Sequence, residues 1–301
     1  MKTGLLLISL AMFSGMMIPA SAQRFEAGTS TAVFGKRYDA AVLSEAAENG
    51  IGYIEVAVNQ SYRGVPAEEV EERMHAAAAS IDSSGIRVWS VHLPFSRTLD
   101  ISVTDDSLRA ENVKFMAGMI RLCSEIYRPE RFVLHPSSEP IDDGERETRI
   151  LNAVASIREL SAVAEECGIP LCIENLPRTC LGNTPEELVR IVDAVPGVYI
   201  CFDTNHYVKG STAHFIKTAG KRIRTVHISD FDFVNECHWP PYEGQIDWKE
   251  FMKEMSETAG YDGVMMFEVT KHSDKSRVSV PELMESFRKM SGPDGTLSEN
   301  L

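Results

Sequence analysis

Pro170-Leu171-Cys172-Ile173-Glu174-Asn175 and Val198-Tyr199-Ile200-Cys201-Phe202-Asp203-Thr204-Asn205-His206 flank a helical stretch, Pro185–Ala194. Each flanking run is short, continuously apolar and closed by a carboxylate. Strands covered on both faces, as in a parallel sheet, read this way, whereas half-solvated strands alternate. The same unit recurs in both directions. Strands are predicted at Phe25–Ser30, Gly52–Val58, Arg87–Leu93, Arg131–His135, Pro170–Glu174, Val198–Asp203, Arg224–Ile228 and Gly263–Val269. Helical patterns fall between them, at Asp39–Asn49, Ala67–Ser83, Asp105–Tyr127 and Glu145–Cys167, then Pro185–Ala194, Ser211–Gly220 and Trp248–Ala259. Gly50, Gly85, Gly168, Gly197, Gly220 and Gly260 stand where helices need left-handed stops. Eight such units of about 35 residues each predict an α/β protein with a single (β/α)8 TIM barrel. A doubly wound open sheet is the rival, but Gly28-Thr29-Ser30-Thr31 after the first strand is not its Gly-rich phosphate loop.

A barrel places its chemistry at the C-terminal ends of its strands. Reading the strand ends from the second onward yields Glu55, His92, His135, Glu174, Asp203, His227 and Glu268. His206 and His238 follow closely, so five of the eight histidines gather at one rim; His75, His214 and His272 do not. A carboxylate after Leu-Cys-Ile or Met-Met-Phe is costly to bury unless something positive pairs with it. Few Lys or Arg residues end these strands. A divalent metal ion is therefore the expected counter-charge, since carboxylate and imidazole together suit such cations.

The first 22 residues stand apart from the barrel. Lys2 precedes an apolar run from Leu5 to Met17, and Ala20-Ser21-Ala22 forms a small-residue cleavage site. This pattern predicts a signal peptide and a protein that is periplasmic or secreted after cleavage near Ala22. The run is too short for a spanning helix, so no membrane association is expected afterwards. The barrel is predicted over residues 23–291, with a loose tail from 292 to 301. Six cysteines without a C-x-x-C pair argue against a disulfide scaffold. A net charge of −14, from 30 Lys+Arg against 44 Asp+Glu, argues against nucleic acid as partner.

Several motifs carry a resemblance. They are Ser90-Val91-His92-Leu93-Pro94, Leu134-His135-Pro136, Ile173-Glu174-Asn175, Phe202-Asp203-Thr204-Asn205-His206, Val226-His227-Ile228-Ser229-Asp230 and Gly244-Gln245-Ile246-Asp247-Trp248. Together they resemble the xylose isomerase-like TIM barrels, a superfamily of sugar isomerases and epimerases that also contains endonuclease IV-type repair enzymes. The resemblance implies a metal site of Glu174, Asp203, His227 and Glu268 holding one Mn, Zn or Co ion. It implies that Glu174 and Glu268 also move the proton and that His206 contacts substrate. His92, His135, His238 and Glu236 match further endonuclease-like ligand positions, with Glu236 where that pattern carries Asp.

The expected function is a metal-dependent isomerase or epimerase acting on a small carbohydrate by proton abstraction beside a polarised carbonyl. No Arg follows His227 within its loop, where the better-known ketose epimerases carry one, and Lys271 or Lys209 is the candidate replacement. No Arg-rich phosphate site is visible in the sequence. Glu55 and Asn175 are further candidates for binding substrate hydroxyls. Trp239, in Trp239-Pro240-Pro241-Tyr242, is the candidate sugar-stacking lid. Three alternatives stay open: a lyase or hydrolase acting on a keto-glycoside through the same site, a non-catalytic carbohydrate-binding barrel, and an endonuclease IV-like phosphodiesterase.

Overall fold

The apolar runs become eight strands because each can bury both faces, one toward the barrel axis and one toward a helix. The computed structural model describes residues 25–36 and 38–292. Its strands are β1 (Glu26–Ser30), β2 (Tyr53–Ala57), β3 (Arg87–His92), β4 (Arg131–Leu134), β5 (Leu171–Glu174), β6 (Val198–Asp203), β7 (Ile223–Ile228) and β8 (Val264–Phe267). They pair in parallel in chain order, and β8 returns to β1 to close the barrel. The helices are α1 (Ala40–Glu48), α2 (Asn59–Tyr62), α3 (Ala67–Ser84), α4 (Asp106–Tyr127), α5 (Arg146–Glu166), α6 (Pro185–Asp193), α7 (Thr212–Ala219), α8 (Trp248–Glu257) and α9 (Val280–Ser291). The expected single TIM barrel is the observed one. The expected signal segment and the tail beyond Gly292 lie outside the described residues.

Local chemistry sets the boundaries. Asp39, Asp105, Thr184, Ser211 and Asp247 each accept a hydrogen bond from a first-turn backbone N–H and so start α1, α4, α6, α7 and α8. Gly85 ends α3 at φ 73°, a left-handed conformation that a side chain would disfavour. Two helices were not read from the sequence. The α2 helix is a single turn, too short to show a period. The α9 helix does carry a signal, Ser279 and Glu282 forming a reciprocal capping box with Pro281 inside the first turn.

The inner faces of the helices pack on the outer faces of the strands. Phe202 of β6 stacks on Phe215 of α7 with ring centres 4.0 Å apart, and Trp248 meets Phe251 edge-on. All six cysteines are free thiols, with Cys172 and Cys201 fully buried on adjacent strands. Among the described residues no helix is long and apolar enough to cross a membrane.

Candidate active site and metal centre

Parallel pairing carries the strand ends to one rim. His92, Glu174 and Asp203 are the last residues of β3, β5 and β6, and Asp203 lies beside His227 in register. His135 and Glu268 come one residue after β4 and β8. Ligand atoms of Glu174, Asp203, His227 and Glu268 all fall within 4.8 Å of one another. His227 Nδ1 sits among three carboxylates, 2.9 Å from Glu268 Oε2, 3.4 Å from Glu174 Oε1 and 3.8 Å from Asp203 Oδ2.

Glu174, Asp203 and His227 each have one polar atom tied and one without a hydrogen bond. Glu174 Oε2 accepts from His92 Nε2 at 3.0 Å and stands 3.2 Å from His135 Nε2. Asp203 Oδ1 accepts the backbone N–H groups of Asn205 and His206. His227 Nε2 meets Glu55 Oε2 at 2.9 Å. The atoms facing the common point, Glu174 Oε1, Asp203 Oδ2, His227 Nδ1 and Glu268 Oε2, are buried without a directed hydrogen bond. Buried polar atoms without hydrogen bonds cost about 1–3 kcal/mol each, more when charged. The imidazoles of His227 and His206 offset part of this at 2.9–3.4 Å, and a cation at the common point would offset the rest. Three carboxylates and one imidazole fit a Mn-, Zn- or Co-like divalent ion.

Two other clusters differ on this test. His92, His135 and Glu174 satisfy one another, with His92 Nδ1 also 2.9 Å from the Leu93 carbonyl. In the group of His206, Glu236 and His238, Glu236 turns its carboxylate onto Arg178.

The electrostatics report the same demand for positive charge. Burial raises the Glu174 carboxyl, but the His227 and His135 imidazoles overcome this and hold it well below the usual range. Burial dominates at Asp203, whose pKa rises to about 6. Burial lowers His92 and His206, yet Glu174 beside the first and Asp203 with Glu174 beside the second raise both to about 9. The carboxylates pull protons onto the surrounding imidazoles.

The rim opens into a cleft of about 360 Å³ lined by His92, His135, Glu174, His206, His238 and Glu268, with Phe95 and Glu236 in its walls. Four residues expected at the substrate stand elsewhere. Glu55 lies in the middle of β2, two residues short of its end, and so sits one layer deeper, fully buried against His227 and Ser90. Asn175 uses its side-chain amide on both backbone groups of Asp203, and its own carbonyl meets His206 Nδ1 at 3.0 Å. Trp239 is paired by its backbone to Asp230 in both directions. Asp230 also binds the Tyr242 and Ile246 N–H groups and the Trp248 indole, which ties the expected lid down beside the barrel. Lys271 is exposed in the segment after β8 and does not line the cleft.

Sequence reasoning missed three cleft residues, Arg63, Arg97 and Arg178. They sit on three separate loops and share no motif. Arg178 holds φ at 53° and grips Glu139 through two hydrogen bonds of 2.7 and 2.6 Å.

The sequence profile described as xylose isomerase-like TIM barrel matches residues 43–290. An uncharacterised protein of Methanocaldococcus jannaschii is 31% identical over 206 residues, covering 65% of this chain and 69% of that protein. A D-psicose 3-epimerase of Ruminiclostridium cellulolyticum is 33% identical over 123 residues, which is 38% of this chain and 40% of the epimerase. That match thus spans less than half the epimerase's length. Among solved structures, a D-tagatose 3-epimerase-like protein superposes with a TM-score of 0.72 at 24% identity, covering 88% of this chain and 98% of its own. An IolI protein holding a zinc atom superposes at 0.68 with 20% identity, covering 88% and 96%. Homologues and structural neighbours thus include sugar epimerases of this fold. With the profile spanning the chain from α1 through most of α9, the protein belongs to the xylose isomerase-like TIM barrel family.

Proposed function

We propose that this protein is a divalent-metal-dependent sugar epimerase or isomerase that works by moving a proton on the carbon beside a carbonyl. The observation that carries this reading is the set of four bare atoms of Glu174, Asp203, His227 and Glu268, gathered at the floor of the rim cleft. A divalent cation bound there would polarise a carbonyl and its neighbouring hydroxyl, acidifying the hydrogen on the carbon between them.

Glu174 and Glu268 act as the acid/base pair, since both line the cleft and approach it from strands on different sides of the barrel. His92 and His135 hold Glu174 from behind, which fixes the carboxylate plane. His206 has its Nδ1 occupied by the Asn175 carbonyl and keeps Nε2 for a substrate hydroxyl. Phe95, stacked on His135 with ring centres 4.5 Å apart, supplies an apolar wall against water. The residues from Lys2 to Ala22 add export to the reading, which N-terminal sequencing of the mature protein checks.

The test is proton NMR in deuterated water with Mn-loaded protein and a panel of ketoses. Solvent deuterium should enter the carbon beside the carbonyl, and the exchange should stop when the ion is chelated. Turnover with no solvent deuterium at that carbon would instead assign a hydride shift or hydrolysis.

A further inference from the structure

We infer that Arg63 and Arg97 form a receptor for an anionic end group, so that the sugar handled in this cleft carries a carboxylate or a phosphate at the end remote from its carbonyl. The inference rests on the proposed function for where the carbonyl end lies. It departs from the reading of the sequence, where no Arg-rich phosphate site is visible.

The chain carries a net charge of −14, yet three arginines line this one cleft, beside the carboxylates Glu139, Glu174, Glu236 and Glu268. Arg178 is spent, gripped by Glu139 and touching Glu236. Arg63 has no carboxylate partner, and Arg97 acts on Glu139 only through space. Among the described residues neither makes an ion pair, and the one hydrogen bond of Arg63 goes from Nη2 to the Phe95 carbonyl at 3.1 Å. That bond places its guanidinium 5.7 Å from the centre of the Phe95 ring. The remaining N–H groups form a fork of the kind that matches carboxylate and phosphate oxygens.

The position is built as well as charged. Asn59 donates to the Phe95 carbonyl at 3.1 Å and accepts from the Phe95 N–H at 3.3 Å, locking the loop after β2 to the loop after β3. These loops carry Arg63 and Arg97. The Phe95 ring leads directly to the reacting end, since it stacks on His135, which stands 3.2 Å from Glu174. Arg63 is therefore one aromatic ring away from His135: its guanidinium carbon lies 5.7 Å from the Phe95 ring centre, which lies 4.5 Å from that of His135. A ketose with its carbonyl at Glu174 and Glu268 would present its terminal carbon to these arginines.

The experiment is calorimetric titration of the Mn-loaded mature protein with D-tagatose, D-tagatose 6-phosphate and the ketohexuronate of the same configuration. At least one anionic ligand should bind about ten-fold or more tightly than D-tagatose, the scale of one or two hydrogen bonds to a charged group. The carboxylate and phosphate arms decide which end group is read. In Arg63→Gln/Arg97→Gln the advantage should fall below about two-fold, whatever change in affinity the three ligands share. Arg121→Gln, far out on α4, should retain the advantage. Equal affinity for all three ligands in the native protein, or an advantage that survives the double substitution, would overturn the inference. An anion advantage without deuterium exchange on any ligand would sink the proton-transfer reading and leave the receptor standing.

Discussion

The two mouths of the barrel handle buried polarity in opposite ways. At the N-terminal mouth, Tyr53, Trp89, Val264 and Met266 form a small apolar cluster, and guanidiniums lie across aromatic faces. Arg131 is 3.3 Å from the Trp89 ring centre, Arg87 is 4.2 Å from that of Tyr53, and Arg224 is 5.0 Å from that of Tyr199. The Trp89 indole donates to Thr225, the Tyr261 hydroxyl to the Val264 carbonyl, and Arg131 Nε alone lacks an acceptor. At the C-terminal mouth four atoms from four different strand ends are bare and point at one another. The first arrangement lowers the folding free energy. The second raises it unless a cation binds, and tolerates strain of the kind that function requires.

The sharpest way to break this comparison is to remove one of the bare atoms. Glu174→Gln and Asp203→Asn should each lose most of the bound cation and at least about 100-fold of activity, the scale of a removed acid/base or metal function. Asp203→Asn should not lower the stability of the chelated protein, because burial already disfavours the Asp203 charge, whereas Glu174→Gln should lower it, because His92 and His135 lose the carboxylate that pairs with them. Metal analysis beside thermal unfolding separates the two effects. Equal metal content in native and substituted proteins would show that the four atoms are not the ligands.

A smaller effect is expected one layer down. Glu55 accepts from Ser90 Oγ at 2.7 Å and meets His227 Nε2 at 2.9 Å, while its Oε1 has no partner. It holds the imidazole so that Nδ1 faces the carboxylates, the carboxylate–histidine arrangement that supports many metal ligands. Glu55→Gln should weaken cation binding by about 10–100-fold, with Glu55→Ala worse, because the amide oxygen still accepts the N–H. Competition titration with a chromophoric chelator measures both. Unchanged affinity in Glu55→Ala would make the residue a passive filler.

The contrast between Glu55 and Glu174 also explains what could be read from the chain alone. Parallel strands all point one way, so a local feature, the polar residue ending an apolar run, maps directly onto a shared rim. That is why His92, Glu174, Asp203, His227 and Glu268 were legible. Glu55 breaks the rule by lying mid-strand, and its depth depends on the register of β2 against β3, which includes a shift between Ile54 and Glu55. Asn175 and Trp239 look functional by motif, but their hydrogen bonds to Asp203 and Asp230 exist only in the folded chain. The arginines of the cleft mouth were invisible for the same reason, since three loops far apart in sequence bring them together.

At the opposite mouth, Thr225→Val tests whether polarity there serves only stability. It strands the Trp89 indole N–H in a fully buried position, which should cost about 1–3 kcal/mol of unfolding free energy. Cation affinity and deuterium exchange should be unchanged. Loss of metal in this variant would mean that the two mouths are coupled through β7, which carries both Thr225 and His227.

The smallest effects are expected at two residues with the right chemistry in the wrong place. His75 lies on α3 with its side chain 62% exposed, 3.8 Å from Glu71, and Lys271 is exposed beyond β8. Surface substitutions of this kind change stability by less than about 0.5 kcal/mol. His75→Ala and Lys271→Ala should therefore leave metal content, sugar affinity and thermal midpoint as in the native protein. Lys271 is the more informative of the two, because it follows Glu268 by only three positions. Thr270 of the same segment donates its backbone N–H to the His238 carbonyl, which pins the chain beside the cleft while the lysine side chain points outward. If Lys271→Ala nevertheless weakened binding of an anionic sugar while sparing D-tagatose, the anion receptor would extend across the mouth to the β8 side. The assignment to Arg63 and Arg97 alone would then be too narrow.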